Sequence, residues 1–205
     1  MKLIGMLDSP YVRRVAISLD LLGVPFEHEA VSVFSHFVRF QNINPVVKAP
    51  TLVCDDGTVL MDSSLILQYA EATHGASLWA TDRVDLQHEL RAAGLALAAC
   101  EKSVQILYER NLRPAEAQFE PWMDRVAGQL SAAYLALEEE LARRPAAFAG
   151  PLHQAALTAA VAWQFTQSML AHVVPAAQHP GLVALSTRLE ATAAFRKYPP
   201  AGPGV

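Results

Sequence analysis

Strand signals stop at about Gly75, and Ala-rich helical patterns run from about Asp82 to the end of the 205-residue chain. A hydrophobic pattern that changes from strand-like to helical once, without returning, divides a chain into two folding regions. The boundary separates a mixed α/β region at 1–76 from an all-helical region at 82–205.

Within 1–76 the order of signals is β-α-β, loop, β-β-α. Residues 2–7 form a short apolar run closed by Asp8-Ser9-Pro10; Val12, Val15, Ala16, Leu19 and Leu22 then recur at helical spacing up to Gly23. Pro25 ends that helix, and residues 26–31 alternate loosely enough to form a second strand, completing a βαβ unit. The stretch containing Phe34, Phe37 and Phe40 carries no clear period and reads as irregular. Asp55-Asp56-Gly57-Thr58 lies between the runs 51–54 and 59–61 and signals a hairpin turn, so the second half of the sheet is antiparallel. Asp62-Ser63-Ser64 supplies N-cap chemistry to a helix carrying Leu65, Ile66 and Tyr69, which ends near His74-Gly75.

In 82–205 the clearest stripe is Trp122, Val126, Leu130, Ala133, Leu137 and Leu141, with steps that keep one helix face buried. A second runs through Leu157, Val161, Phe165 and Met169. Prolines at 114, 121, 145, 151, 175 and 180 cannot sit in helix interiors and divide the region into roughly four or five helices. The end, Pro199-Pro200-Ala201-Gly202-Pro203-Gly204, reads as a loose tail.

With 52% hydrophobic and 18% charged residues the chain suits a packed globular protein. A formal charge of −4 and the lack of a dense Lys/Arg run argue against nucleic acid and anionic lipid as partners. No apolar stretch approaches the roughly 18 residues needed to span a bilayer, which makes a cytoplasmic location the expectation. Cys54 and Cys100 form no Cys-x-x-Cys and suggest neither a disulfide framework nor a zinc site. The seven histidines are scattered, without a His-x-x-x-His pair, so no metal site is expected.

Four features in chain order resemble the glutathione S-transferase family: Ser9-Pro10-Tyr11-Val12-Arg13, Asn44-Pro45-Val46-Val47-Lys48-Ala49-Pro50-Thr51-Leu52, Met61-Asp62-Ser63-Ser64, and the all-helical remainder. The middle two, at their separation after a βαβ unit, are the specific part. The serine-type opening is most similar to the tau class and to bacterial relatives. The resemblance implies a thioredoxin-like domain at 1–76, an all-helical C-terminal domain at 82–205, glutathione as co-substrate and a two-fold homodimer.

It also implies roles residue by residue. Ser9 would steady the glutathione thiolate from a helix N-terminus; Ser9-Pro10 is equally an ordinary N-cap and first-turn pair, and the roles are compatible. Ala49-Pro50 would be a cis bond, with the Ala49 backbone pairing the cysteinyl part like an added strand. Lys48 would reach the glycyl carboxylate, or else stand as a solvated surface lysine. Asp62 and Ser63 would grip the γ-glutamyl end, or simply cap their helix. Tyr11, Phe34 and Tyr108, with Trp163 and Phe165, are candidates to border an apolar co-substrate pocket.

The activity so implied is transfer of glutathione to an electrophile or a peroxide. A glutathione-binding regulatory module without turnover is one alternative. A glutathione-dependent oxidoreductase is another, although it would ordinarily need cysteine at Ser9. Two departures from the family pattern stand out. Asp62 occupies a place where many members have the longer Glu. The hydroxyl capping box of the sixth helix is replaced by Pro151-Leu152-His153-Gln154, where Gly150 as cap and Pro151 in the first turn are expected to start the helix.

Overall fold

The computed structural model describes residues 1–202 and divides the chain into two units. The first is Met1–Leu78 joined by residues 192–202, and the second is Trp79–Ala191.

In the first unit β1 (Lys2–Ile4), β2 (Glu27–Glu29), β3 (Thr51–Val53) and β4 (Val59–Leu60) form a sheet in the order β2-β1-β3-β4. β1 pairs parallel with β2 and antiparallel with β3, and β3 pairs antiparallel with β4. The parallel pair requires a crossover, supplied by α1 (Pro10–Leu21). Successive strand residues point to opposite faces, so neighbours in β1 enter different cores. Leu3 packs with Val12, Val15 and Leu19 of α1 and with Ile66 and Ala70 of α3 (Ser63–His74). Ile4 packs on the other side with Val31 and Phe40.

The turn between β3 and β4 forms as expected: Gly57 sits at φ 85°, a region open to glycine, and Cys54 N–H donates to Thr58 O at 2.8 Å. α3 ends at Gly75 in the left-handed conformation, which likewise agrees with the sequence. The stretch read as irregular differs. Residues Phe37–Ile43 form a short helix, α2, whose N-cap His36 makes no side-chain capping bond and in which Phe40 is the buried residue. A single buried position gives no hydrophobic period to detect.

The second unit consists of α4 (Arg83–Leu112), α5 (Glu120–Arg143), α6 (Pro145–Ala149), α7 (Gln154–Leu170) and α8 (Pro180–Glu190). Val126, Leu130, Ala133, Leu137 and Leu141 of the α5 stripe are buried, whereas Trp122, expected to open it, is 43% exposed. α7 is buried along most of its length, and Ser103 of α4 meets its Thr166 at 2.8 Å between hydroxyl oxygens.

Two expectations for this region are corrected. α7 starts at Gln154 with His153 as N-cap, not with Gly150 as cap and Pro151 in the first turn. Gly150 stands at φ −80° and ψ −149°, which is not a helical conformation. His153 is then fixed by its Nδ1 contact to buried Glu89 at 2.5 Å. The helical region also stops short of the 82–205 span, because α9 (Ala193–Lys197) lies in the first unit. Arg13 Nε donates to Tyr198 O at 2.8 Å, and the same guanidinium lies 5.4 Å from the Phe195 ring centre. These contacts tie α9 and the residue after it to α1, just ahead of the expected loose tail, of which Pro203 and Gly204 lie outside the described residues.

Candidate functional site

The first unit gathers its polar features where β1 runs into α1. Gly5, at φ 141°, closes β1; a Cβ there would stand 2.6 Å from Val12 Cγ2 and 3.2 Å from Ala49 Cβ. The first turn of α1 and Ala49 therefore approach each other across a position that only glycine can occupy without displacing them. Ser9 is the N-cap of α1 and Pro10 begins the helix, as Ser-Pro chemistry predicts. The Ser9 Oγ accepts from Val12 N–H at 3.5 Å, longer than the usual range of about 2.7–3.2 Å. The hydroxyl is thus only lightly engaged in capping, and it sits at the positive end of a twelve-residue helix.

The segment before β3 is organised by Asn44, to which sequence reasoning gave no role of its own. This side chain is 2% exposed; its Nδ2 donates to Thr51 Oγ1 at 2.8 Å and to Met61 Sδ at 3.3 Å, while its Oδ1 accepts from Val46 N–H at 3.0 Å. Thr51 Oγ1 in turn donates to Lys48 O at 2.7 Å. Between them Val47 adopts φ 52°, a left-handed conformation that costs a branched residue about 1–2 kcal/mol and persists where surrounding bonds over-determine it. Lys48 is exposed, Ala49 half-buried and Pro50 buried. The Ala49–Pro50 bond is cis, as is Met61–Asp62. The Asn44-Pro45 dipeptide was the available signal for this clamp, since Asn-Pro favours a turn.

At the start of α3, Asp62 is the N-cap: its Oδ1 accepts from Ser64 N–H at 3.0 Å and Leu65 N–H at 3.3 Å. Asp62 is exposed, whereas Ser63 is 2% exposed. Behind Ser63 lies Arg14, 3% exposed, whose Nη1 donates to Ser63 Oγ at 3.0 Å and to Ser64 Oγ at 3.2 Å. Arg14 is a residue that sequence reasoning missed, because its partners lie 49 and 50 positions away. α1 is thus connected to Ala49 around Gly5 and to the N-terminus of α3 through Arg14.

The pocket candidates divide. Tyr11 is half-buried on α1 and Phe34 is 41% exposed, both in the first unit. Tyr108, on α4 of the second unit, is 39% exposed, and partial burial pushes its phenol pKa up. Trp163 and Phe165 are core residues of the second unit, with Trp163 edge-on to Tyr134 at 5.2 Å and 5.3 Å from the His179 ring. Among the described residues no group of three or more side chains could hold a metal ion, and no helix is long and apolar enough to cross a membrane.

A family profile for the glutathione S-transferase N-terminal domain matches residues 3–78. The chain is 39% identical over 74 residues to glutathione S-transferase U3 of Arabidopsis thaliana, covering 35% of this chain and 32% of that protein. It is 35% identical over 71 residues to the glutathione S-transferase-like protein YibF of Escherichia coli K12, covering 35% of each. The matched stretch thus spans about a third of the length of these curated relatives. A crystal structure of a glutathione transferase family member from Pseudomonas fluorescens Pf-5, with bound glutathione, aligns over 98% of this chain and 99% of its own, with TM-score 0.85 and 28% identity. Residues 3–78 thus carry a glutathione S-transferase N-terminal domain, and over nearly its full length the chain is similar to a glutathione transferase family member. Residues 3–78 of the first unit form a thioredoxin-like domain of the glutathione S-transferase type, and the mostly helical remainder matches the fold of that family's C-terminal domain.

Proposed function

We propose that the protein is a glutathione transferase in which Ser9 steadies the thiolate of bound glutathione. The observation that carries this reading is the tethering of α1: its first turn approaches Ala49 around Gly5, and its Arg14 reaches Ser63. On this reading one edge of the thioredoxin-like domain would bring together the Ser9 hydroxyl, the Ala49 backbone and the N-terminus of α3. The peptide would lie along it as an extended segment, with its γ-glutamyl carboxylate at Ser63, its ammonium at Asp62, its cysteinyl backbone at Ala49 and its glycyl carboxylate at Lys48.

A free thiol of this kind has a pKa of about 8.5, and the thiolate is the nucleophile. Lowering it by one unit takes about 1.4 kcal/mol of preferential stabilisation of the anion, within reach of one hydroxyl donor and a helix N-terminus. The lightly engaged Ser9 Oγ–H supplies the donor. The sulfur then forms a bond to an electrophilic carbon as the leaving group departs with its electron pair, or to a peroxide oxygen as the O–O bond breaks. Tyr11 and Phe34 are proposed to meet the co-substrate. We further propose a cytoplasmic location and a two-fold homodimer.

Retention on immobilised glutathione, elution by the free tripeptide and turnover of a generic aryl halide test the reading together. Both retention and turnover are expected. Retention without turnover of either an aryl halide or a peroxide would make the protein a binding module, and absence of retention would overturn the reading.

A further inference from the structure

We infer that Arg14 is a positioning residue that makes the α3 N-terminus selective for a carboxylate over a neutral group of the same shape, by fixing the Ser63 hydroxyl as a donor. The inference deepens, and rests on, the reading of Ser63 as the γ-glutamyl contact.

The argument begins with the amides of the first turn of α3. A helix N-terminus normally offers several N–H groups to an anion. Here Asp62 Oδ1 already accepts from Ser64 N–H and Leu65 N–H, and Ile66 N–H donates to Asp62 O at 2.9 Å. What the turn retains for a ligand is the N–H and the hydroxyl of Ser63, which is 2% exposed, with the hydroxyl of exposed Ser64 beside them.

Left to itself, that hydroxyl is ambivalent, since a serine oxygen both donates and accepts and its proton rotates to suit the partner. Arg14 removes the ambiguity. A guanidinium only donates, so the contact at 3.0 Å from Arg14 Nη1 makes Ser63 Oγ the acceptor on that side and directs its proton elsewhere. The two hydrogens of the same Nη1 are divided between Ser63 and Ser64, whose oxygen lies at 3.2 Å, which holds the guanidinium in place. Arg14 is itself 3% exposed, so its charge is little screened by water. Ser63 then presents two donors, N–H and O–H, backed by a fixed positive charge. A carboxylate, which is an anion and accepts only, fits that arrangement. A carboxamide of equal size loses the charge attraction and presents an N–H₂ on one side.

The test compares the binding of two ligands to the full-length protein: glutathione, and glutathione whose γ-glutamyl α-carboxylate is replaced by a carboxamide. Calorimetry is run on wild type, Arg14→Gln, Arg14→Lys, Ser63→Ala and the Arg14→Gln/Ser63→Ala double variant. Wild type should prefer glutathione by about tenfold or more, in line with a charge-assisted hydrogen bond. Arg14→Gln should reduce that preference to within about twofold, and Arg14→Lys, which keeps the charge on a differently shaped donor, should retain part of it. In the Ser63→Ala background, Arg14→Gln should change the preference no further.

A general loss of structure would weaken both ligands together and leave their ratio unchanged; that result overturns the inference, as does an additive double variant. Should Arg14→Gln fail to fold, the ratio in Arg14→Lys decides: a partial loss supports the role and an intact ratio overturns it. Wild-type protein that binds neither ligand overturns the reading of the whole site, and the role of Arg14 with it. Wild-type protein that binds both equally well overturns the role of Arg14 alone.

Discussion

Asn44 holds three backbone segments at once, through Thr51 Oγ1, Met61 Sδ and Val46 N–H, in surroundings that leave it 2% exposed. Replacing it with Ala removes the donor to Thr51 Oγ1, which is buried, and loosens the turn that keeps Val47 left-handed. A buried polar group left without a partner costs about 1–3 kcal/mol. Asn44→Ala should therefore lower Tm by several degrees and weaken glutathione binding, because Lys48, Ala49 and Pro50 lie on the segment it restrains. An unchanged melting curve in scanning calorimetry would show that the clamp is dispensable. The capping roles of Ser9 and Asp62 were legible because a cap is local chemistry, an oxygen within three residues of the amide it serves. Asn44 and Arg14 were not, since each acts on partners brought near by the fold. In the proposed γ-glutamyl role Asp62 would turn its second oxygen to the ammonium, since Oδ1 is committed to the cap.

Between α4 and α5 the second unit carries a buried carboxylate of a different kind. Glu140, 2% exposed, contacts His88 Nδ1 at 2.5 Å and accepts from Arg91 Nε at 3.2 Å. Burial by itself raises its pKa, but the hydrogen bonds and charges of His88 and Arg91 outweigh that and hold the carboxyl below its ordinary value of 4.5. A carboxyl depressed in the folded state stabilises the fold above its unfolded value, and that contribution is lost as pH falls through the folded one. The stability gap between wild type and Glu140→Gln should therefore narrow as the pH falls below about 4.5. Urea midpoints across that range measure the gap, and one that did not narrow under acid would remove Glu140 from the acid sensitivity.

Elements with strong local punctuation were legible: the hairpin from Asp55-Asp56-Gly57-Thr58, and α3 from its Asp cap to its Gly stop. α2 escaped because one buried Phe makes no stripe. The start of α7 was misplaced because its anchoring contact is to Glu89, 64 residues away.

At the scale of the whole chain, the switch near Gly75 identified the two regions, but not the return of the C-terminal segment to the first unit. Arg13 Nε donates to Tyr198 O, Lys197 Nζ donates to Asp20 Oδ1 at 2.5 Å, and the Phe26 ring stacks 5.9 Å from that of Tyr198, pairings that no local pattern encodes. The first unit also exposes Val46, Val59, Leu65 and Tyr69, apolar surface suited to a second copy of the chain. Sedimentation equilibrium at micromolar concentration should give about twice the 22.3 kDa of one chain. A mass of one chain that still bound glutathione would rule out the dimer and leave the site untouched. The central claim, that Ser9 stabilises a bound thiolate, is tested most directly by following thiolate absorbance against pH in the glutathione complexes of wild type and Ser9→Ala. The expected result is a titration moved to higher pH in Ser9→Ala, with glutathione affinity kept within a few fold, because the peptide contacts elsewhere remain. Superimposable titration curves would contradict the claim and reduce Ser9 to the cap of α1.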